Sequence, residues 1–331
     1  MTQSALPTAD KAASQNYVKT LTRNATLVAL VLLLVFNAFF TNHFFSIQML
    51  NVNLTQVATI VIVGVGMTLV IATGGIDLSV GSLMAISGAL APIIFLGTWF
   101  KIPEIHLAVA VAMIVAVAVA GLFGWFNGWL ITKFNIQPII ATLVLFIAGR
   151  GIAQVSTNGN LQPFKLPQFQ WIGLGRWFGV PVQVVIMIVL VIVAAYVLKR
   201  SLFGRQILAI GGNEKAARLA GIPVARVKRW VYAISGLCSG IAGLVVIAIN
   251  SSSDANLVGL GMELDAIAAV AVGGTLLSGG RATITGTLLG ALIIQLVRYT
   301  LLANGVNDDV AKLVKAGLIV AAVWLQRYGR D

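Results

Sequence analysis

Long apolar runs separated by short polar segments dominate this sequence. A helix needs about 20 mostly apolar residues to cross a bilayer, and ten runs are close to that length. No A-x-A-like cleavage site follows the first run, so we interpret it as an uncleaved helix. The predicted spans are 26–45, 52–72, 79–100, 106–131, 136–155, 181–198, 230–250, 262–279, 283–303 and 310–326. The pattern predicts an all-α polytopic membrane protein with about ten transmembrane helices.

The polar segments divide the chain into two tails and one transmembrane domain. We expect an N-terminal tail over 1–24, one transmembrane domain over 25–326, and a C-terminal tail over 327–331. Within the domain, the longest polar connection is the loop 199–229, which carries eight basic residues and one acid, Glu214. This loop is the most prominent candidate for contact with a partner outside the membrane.

Composition supports a membrane protein and excludes several classes. Hydrophobic residues make up 59% of the chain and charged residues 10%, whereas soluble domains carry about 25% charge. Soluble enzymes, disordered regulators and disulfide scaffolds are therefore excluded, and the single cysteine, Cys238, cannot form an intrachain disulfide.

The net charge of +12 is explained better by membrane orientation than by nucleic acid. With the N-terminus in the cytoplasm and ten spans, fifteen Lys and Arg residues fall in inner segments and three, Lys101, Lys165 and Arg176, in outer loops. Since basic residues accumulate on the cytoplasmic side, we expect an inner-membrane protein with both termini cytoplasmic, in contact with lipid and not with nucleic acid.

Signatures of catalysis are missing from the sequence. There is no Gly-Lys dipeptide, hence no P-loop to hold a nucleotide. The two histidines, His43 and His106, are far apart, so we predict no metal site, and no catalytic residue is identified. A chain with many spans and no enzyme signature most often transports a solute.

One segment of the polar loop has residues suited to begin and to end a short helix. Asn213 is suited to cap it, Glu214 complements the dipole of its first turn, Gly221 suits its C-terminus and Pro223 prevents continuation. An isolated helix of two turns is unstable in water, so it needs a surface to pack on. That surface is either a partner protein or the loop itself, and the residues alone leave both open. If a partner docks here, we expect Ala217 on the docking face.

Polar residues inside or near the apolar runs are candidates for the translocation path. Asp77 follows Gly74-Gly75 between two spans, and Glu263 and Asp265 open the span at 262. Charges at such depth are costly and often functional, although acids in a first turn also favour the helix dipole. Arg150 and Gln154 lie in the outer half of their span, where an arginine pairs within the bundle or reaches the interface.

Several of these segments carry a family resemblance. The chain resembles the permease subunits of bacterial ABC importers for monosaccharides, the ribose/galactofuranose branch. The likeness lies in GMTLVIATGGIDLSVGS at 66–82, in IGGN at 210–213 with AGI at 220–222, in ELDAIA at 263–268 and in GGTLLSGG at 273–280. It covers about residues 50–326.

Two shorter segments refine the resemblance. Arg150-Gly151 with Ala153-Gln154, and Asp254-Ala255-Asn256, look more like the galactofuranose permeases than the ribose permeases.

The resemblance implies a fold, partners and a mechanism. The fold is the ten-helix type II importer kind, and the permease pairs with a second copy or a sister permease. A separate ATPase uses ATP and Mg²⁺, a periplasmic sugar-binding protein delivers substrate, and this chain binds no cofactor. The sugar crosses by alternating access. The helix that matches the ATPase-coupling helix consists of Asn213, Glu214, Lys215, Ala216, Ala217, Arg218, Leu219, Ala220 and Gly221.

Two alternatives remain at this point. An ion-gradient-driven secondary carrier would use Asp77, Glu263 and Asp265 as proton or sodium sites. A related ABC permease would carry branched-chain amino acids or another small nutrient, but the absence of a conspicuous charged pair for a zwitterion favours a sugar.

Overall fold

A computed structural model describes residues 25–41 and 44–328 of the chain. The described part consists of helices and two pairs of two-residue strands. In chain order the elements are α1 (Ala25–Phe40), α2 (Ile47–Ala72), α3 (Val80–Phe95), α4 (Ile105–Phe134), α5 (Pro138–Ser156), β1 (Gln162–Pro163), α6 (Pro167–Leu174), β2 (Arg176–Trp177), β3 (Val180–Pro181), α7 (Val182–Arg200), α8 (Leu202–Gly212), α9 (Glu214–Leu219), α10 (Val224–Asn250), β4 (Ser252–Ser253), α11 (Met262–Val272), α12 (Ile284–Ala303) and α13 (Asp308–Tyr328).

Each of the ten predicted spans contains a helix, and the all-helical class is confirmed. Six helices, α2, α4, α5, α7, α10 and α12, are long and apolar enough to cross a membrane. The helices α1 and α3 are apolar but shorter, α11 has 11 residues, and α13 begins with Asp308 and Asp309. The predicted count of about ten transmembrane helices is therefore not confirmed.

The two helices α2 and α10 form the centre of the bundle. Every residue of α2 from Val57 to Ala72 is buried, and α10 packs against α2, α3 and α4. Helices farther out, such as α4, α5 and α7, expose large apolar side chains, for example Ile114, Ile147 and Ile192. These exposed apolar faces suit contact with lipid.

Glycines allow α4 and α10 to approach closely. A methyl group on Gly124 of α4 would overlap the backbone of Tyr232, and one on Gly236 of α10 would overlap that of Ala120. Small residues at such crossings let helix backbones touch and gain van der Waals contact, which drives helix association in membranes.

The bundle has two ends, which we name after the short helices that lie there. At the α9 end, α2, α4 and α7 finish and α10 begins; at the α6 end, α3, α5 and α10 finish. The α6 end is closed partly by an aromatic cluster of Phe95, Phe164 and Phe169, with ring centroids 5.0–5.5 Å apart. Strand β1 pairs antiparallel with β4, Gln162 opposite Ser253, and β2 with β3.

The predicted span 262–279 is wrong in its extent. Helix α11 stops at Val272, because Gly273 and Gly274 follow and Gly274 has a φ of +81°. Before α11, the segment 251–261 runs from the α6 end into the bundle alongside α3, with Gly259 against Gly81. Helix α11 therefore starts inside the bundle. Non-helical backbone at such depth is tolerated only where protein buries it or where it lines a cavity.

Helices cross two of the predicted domain boundaries, and the predicted tails lie largely outside the described residues. The loop 199–229 contains a second helix, α8, which was not predicted, and α10 begins within it. Helix α13 continues to Tyr328 and so includes the first two residues of the predicted C-terminal tail. The predicted N-terminal tail 1–24 and residues 329–331 lie outside the described ranges.

Candidate functional site

The predicted short helix in the polar loop is confirmed as α9. The Asn213 side chain caps it, since Oδ1 accepts a hydrogen bond from the backbone N–H of Ala216 at 3.0 Å. At the other end Gly221 adopts a φ of +81°, and the N–H of Ile222 donates to the carbonyl of Ala217 at 3.1 Å. This is a Schellman closure, in which a glycine in the left-handed region ends the helix.

Glu214 ties α9 to α10. Its carboxylate lies 2.6 Å from Lys228 Nζ and 3.2 Å from the Arg218 guanidinium. Burial opposes ionisation of Glu214, but hydrogen bonds and charges from Lys228 and Arg218 outweigh it and lower its pKa. The carboxylate is therefore ionised at neutral pH and holds the helix in place.

Two of the apolar residues of α9, Ala217 and Leu219, point in opposite directions. Ala217 is 5% exposed and belongs to the buried core that also contains Ile207 and Ile210, whereas Leu219 is 90% exposed. The expectation that Ala217 lies on the docking face is wrong, because it packs on this chain. The exposed face of α9 is centred on Leu219, with Ala216 and Ala220 exposed beside it.

A contact between three backbone segments connects α9 to the bundle interior; we call it the glycine junction. Gly211, near the end of α8, lies against the carbonyl of Ala72 at the end of α2, and a methyl group on Gly211 would overlap that oxygen. The same oxygen accepts a hydrogen bond from the N–H of Gly280 at 3.1 Å. Gly279 lies against Gly74 and Gly211.

The glycine junction joins the polar loop to the two parts of the bundle nearest its interior. Gly279 and Gly280 belong to the connection 273–283 between α11 and α12, and Ala72 ends the central helix α2. The backbones touch with no side chains between them, so α8 is in direct contact with the end of α2 and with that connection.

A cavity of about 970 Å³ lies toward the α6 end. Its walls come from α2, α7, α10, α11 and α12, together with the segment that includes the end of α6 and strand β2. Its polar lining is rich in side-chain amides. The lining amides are Gln48, Asn51, Gln56, Gln183, Asn250 and Gln295.

None of these amides was among the predicted path residues, which were four charged residues and the single amide Gln154. A signal was present, since Gln56 and Gln295 interrupt runs predicted to span the membrane. Uncharged polar side chains inside such runs also cost free energy in lipid and indicate a polar path or a helix contact.

Two of the three charged groups on the cavity wall, Asp265 and Arg298, are neutralised within the chain, and the third is the exposed Arg176. Asp265 pairs with Lys315 of α13, and Arg298 of α12 lies 2.9 Å from Asp308. Both acids therefore have an internal cation, and neither pair leaves a free charge facing the cavity.

Of the five predicted path residues, Asp265 is in the cavity wall and the other four are outside it. Asp77 is fully buried and accepts hydrogen bonds from the hydroxyls of Ser79 at 2.6 Å and Ser235 at 2.8 Å. These bonds link the turn before α3 to α10. Glu263 is buried in the first turn of α11, close to Gly81.

Arg150 and Gln154 contact the segment that enters the bundle. Arg150 Nη1 donates to the carbonyls of Ala255 at 2.9 Å and Val258 at 2.5 Å, and Gln154 Nε2 donates to Asn256 Oδ1 at 2.7 Å. The arginine satisfies backbone oxygens that would otherwise lack partners in a buried loop.

Residues 49–323 match the family described as branched-chain amino acid transport system / permease component. The ribose import permease protein of Escherichia coli (strain K12) is 41% identical over 302 residues, 90% of this chain and 91% of the relative. The galactofuranose transporter permease protein of the same organism is 37% identical over 308 residues, 91% and 88% of the two chains.

A third relative comes from another organism, and no solved structure gives a significant match. The fructose import permease protein of Bifidobacterium longum (strain NCC 2705) is 34% identical over 333 residues, 96% of this chain and 91% of the relative. These relatives are named as permeases of import systems, so the predictions of a transport subunit, and not an enzyme, and of a multi-pass inner-membrane protein are confirmed. Such systems include an ATPase and a substrate-binding protein. The chain belongs to this permease family.

Proposed function

We propose that this chain carries a neutral monosaccharide through the amide-lined cavity, as the permease of an ATP-driven importer. The observation that carries the proposal is the cavity lining, in which uncharged amides provide both donors and acceptors. A sugar offers several hydroxyls and no charge, which matches such a wall. Relatives named for ribose, galactofuranose and fructose support a monosaccharide as the substrate class.

The paired charges argue against an amino acid. A zwitterion needs a free cation for its carboxylate and a free anion for its ammonium group. Arg176 offers a cation to a carboxylate, but Asp265, the one acid among the described lining residues, is already neutralised by Lys315 and leaves no free anion for the ammonium group. Arg298 is likewise paired with Asp308. Breaking either pair would leave a partly buried charge without a partner.

Among monosaccharides, sequence identity to the relatives favours neither ribose nor galactofuranose strongly. The identity is 41% to the ribose permease and 37% to the galactofuranose permease, so the likeness of 150–154 and 254–256 to galactofuranose permeases stays a prediction.

The two ends of the bundle support a proposed arrangement of partners. The α9 end carries the basic loop, so we place it in the cytoplasm together with both termini, and the α6 end faces the periplasm. The ATPase, which uses ATP and Mg²⁺, docks on the exposed face of α9. The binding protein delivers sugar at the α6 end, and a second copy or a sister permease completes the transporter.

Alternating access then uses the glycine junction. When the ATPase subunits close on ATP, they displace α9 and α8. Since Gly211 touches Ala72 and the 273–283 connection, the displacement reaches α2 and α11, both of which line the cavity. The cavity changes the side to which it opens.

Uptake by reconstituted complex tests the proposal. Proteoliposomes holding this permease with its partner subunits are loaded with ATP and offered tritiated D-ribose, D-galactose, D-fructose or L-leucine. We expect ATP-dependent accumulation of at least one sugar and none of leucine. Accumulation of leucine, or of a sugar driven by an ion gradient without ATP, would contradict the proposal.

A further inference from the structure

We infer that Asn51 and Gln56 of α2 contact the sugar in transit, and that Gln183 and Gln295 position these contacts. This inference rests on the proposed function and names the residues that recognise the substrate. It assigns recognition to amides of one central helix and to none of the charged residues nearby.

The spacing of polar residues on α2 makes one face of the helix suited to hydroxyl groups. Gln48, Asn51 and Thr55 follow one another at intervals of three and four residues, which places them on the same side. All three line the cavity. Within the part of the chain that the structure describes, the side chains of Gln48 and Asn51 form no hydrogen bond, so their donors and acceptors are available to a ligand.

Two buried glutamines hold this face from either side. Gln183 of α7, 1% exposed, donates from Nε2 to Thr55 Oγ1 at 2.9 Å. Gln295 of α12, 3% exposed, donates from Nε2 to Gln56 Oε1 at 2.6 Å. Because each Nε2 is committed to α2, the orientation of Thr55 and of the Gln56 amide is fixed.

The hydrogen bonds formed within the chain leave specific donor and acceptor groups available to the sugar. Gln56 accepts through Oε1, so its NH₂ group is directed elsewhere, and no residue within the described ranges accepts from it. The amides of Asn51 and Gln56 therefore keep hydrogen-bonding groups that face the hydroxyls of the sugar.

The test uses leucine variants in the reconstituted complex, with the sugar that the wild-type complex accumulates. We expect Asn51→Leu and Gln56→Leu each to lower sugar accumulated per ATP hydrolysed about tenfold, as the loss of one hydrogen bond to a buried hydroxyl would. Assembly with the ATPase and the rate of ATP hydrolysis are expected to stay near wild type, because these residues lie at the end of the bundle opposite α9.

Two further variants separate recognition from structure. Asn51→Gln retains an amide and is expected to recover most of the transport. Gln154→Leu makes the same change as Gln56→Leu at a glutamine outside the cavity, and is expected to transport like wild type. Wild-type transport by both leucine variants, or no recovery by Asn51→Gln, would overturn the inference. A wild-type complex that accumulates none of the three sugars would instead overturn the proposed function itself.

Discussion

Ala217 and Leu219 are two residues apart in α9 and lie on opposite sides of it. Two helical positions are about 200° of rotation, given 3.6 residues per turn. In the sequence both are apolar and equally suited to a docking face. Only the packing of α9 on α8 and α10 shows that Ala217 anchors the helix and Leu219 is free to contact a partner.

Replacing Leu219 with Asp tests the docking face at a single residue. An exposed leucine that a partner buries contributes about 1.5–3 kcal/mol to association, and a carboxylate there would oppose it further. We expect Leu219→Asp to lower co-purification of the ATPase at least tenfold, measured at equal amounts of permease in the membrane.

A matched control for this substitution is Leu161→Asp, an exposed leucine near the α6 end. It is expected to retain the ATPase fully. Equal retention by both variants would show that α9 does not dock through Leu219.

Among individual residues, the sequence indicated only some of the polar side chains that line the cavity. Acidic residues stand out in an apolar run because ionised groups are costly there. Yet Asp77 is satisfied by serine hydroxyls within the bundle, and the amides Gln183 and Gln295 line the cavity. Which polar side chains face a cavity depends on the rotation of each helix about its axis, and that is decided by packing.

At the scale of elements, the glycine junction links three segments that are far apart in the chain. The dipeptides Gly74-Gly75, Gly211-Gly212 and Gly279-Gly280 are visible in the sequence. Nothing in their spacing shows that they meet, because the contact depends on where α2, α8 and the 273–283 connection end in space. The structure therefore adds a physical link between α9 and the cavity.

The adjacent glycines of α8 provide a controlled test of the junction. A methyl group on Gly211 would overlap the Ala72 carbonyl, whereas one on Gly212 would meet no atom within 4 Å. We expect Gly211→Ala to assemble with the ATPase and hydrolyse ATP but to lose at least nine-tenths of sugar uptake. Gly212→Ala is expected to transport normally. Normal uptake by Gly211→Ala would show that the junction transmits no displacement.

Helix α11 and the segment before it depend on Arg150. Replacing Arg150 with Met would leave the carbonyls of Ala255 and Val258 without their donor, at a cost of about 1–3 kcal/mol. We expect a melting temperature several degrees lower for the purified permease, followed by intrinsic fluorescence. Gln154→Leu removes only an exposed bond to Asn256 and is expected to melt like wild type. An unchanged melting temperature for Arg150→Met would contradict this role.

A helix could be predicted from the sequence where a single property, such as apolar length or a capping residue, determines it. Apolar runs of sufficient length indicated the long helices, and the capping residues Asn213 and Gly221 indicated α9. Helix α11 was predicted at the correct position but too long. Hydropathy counts the segment Gly273–Leu277 as apolar, although Gly273 and Gly274 end the helix. Helix α8 was missed, although Ser201 and the spacing of Phe203, Ile207 and Ile210 predict an amphipathic helix.

At the scale of the whole molecule, orientation in the membrane is open to a direct test. The one cysteine, Cys238, is buried, so a Cys238→Ala background accepts single reporter cysteines. We expect Lys165→Cys to react with a membrane-impermeant maleimide in cells whose outer membrane alone has been permeabilised. Lys215→Cys is expected to react only after the inner membrane is opened. The reverse pattern would place α9 outside the cytoplasm.

We propose that this chain transports a sugar only as part of an ATP-driven complex. Purification from native membranes in mild detergent, with identification of the proteins that accompany the chain, tests it most directly. We predict that a P-loop ATPase co-purifies, and that a second permease sequence appears if the transporter is a heterodimer. A chain that purifies alone and accumulates substrate in ATP-free vesicles under an ion gradient would contradict the account.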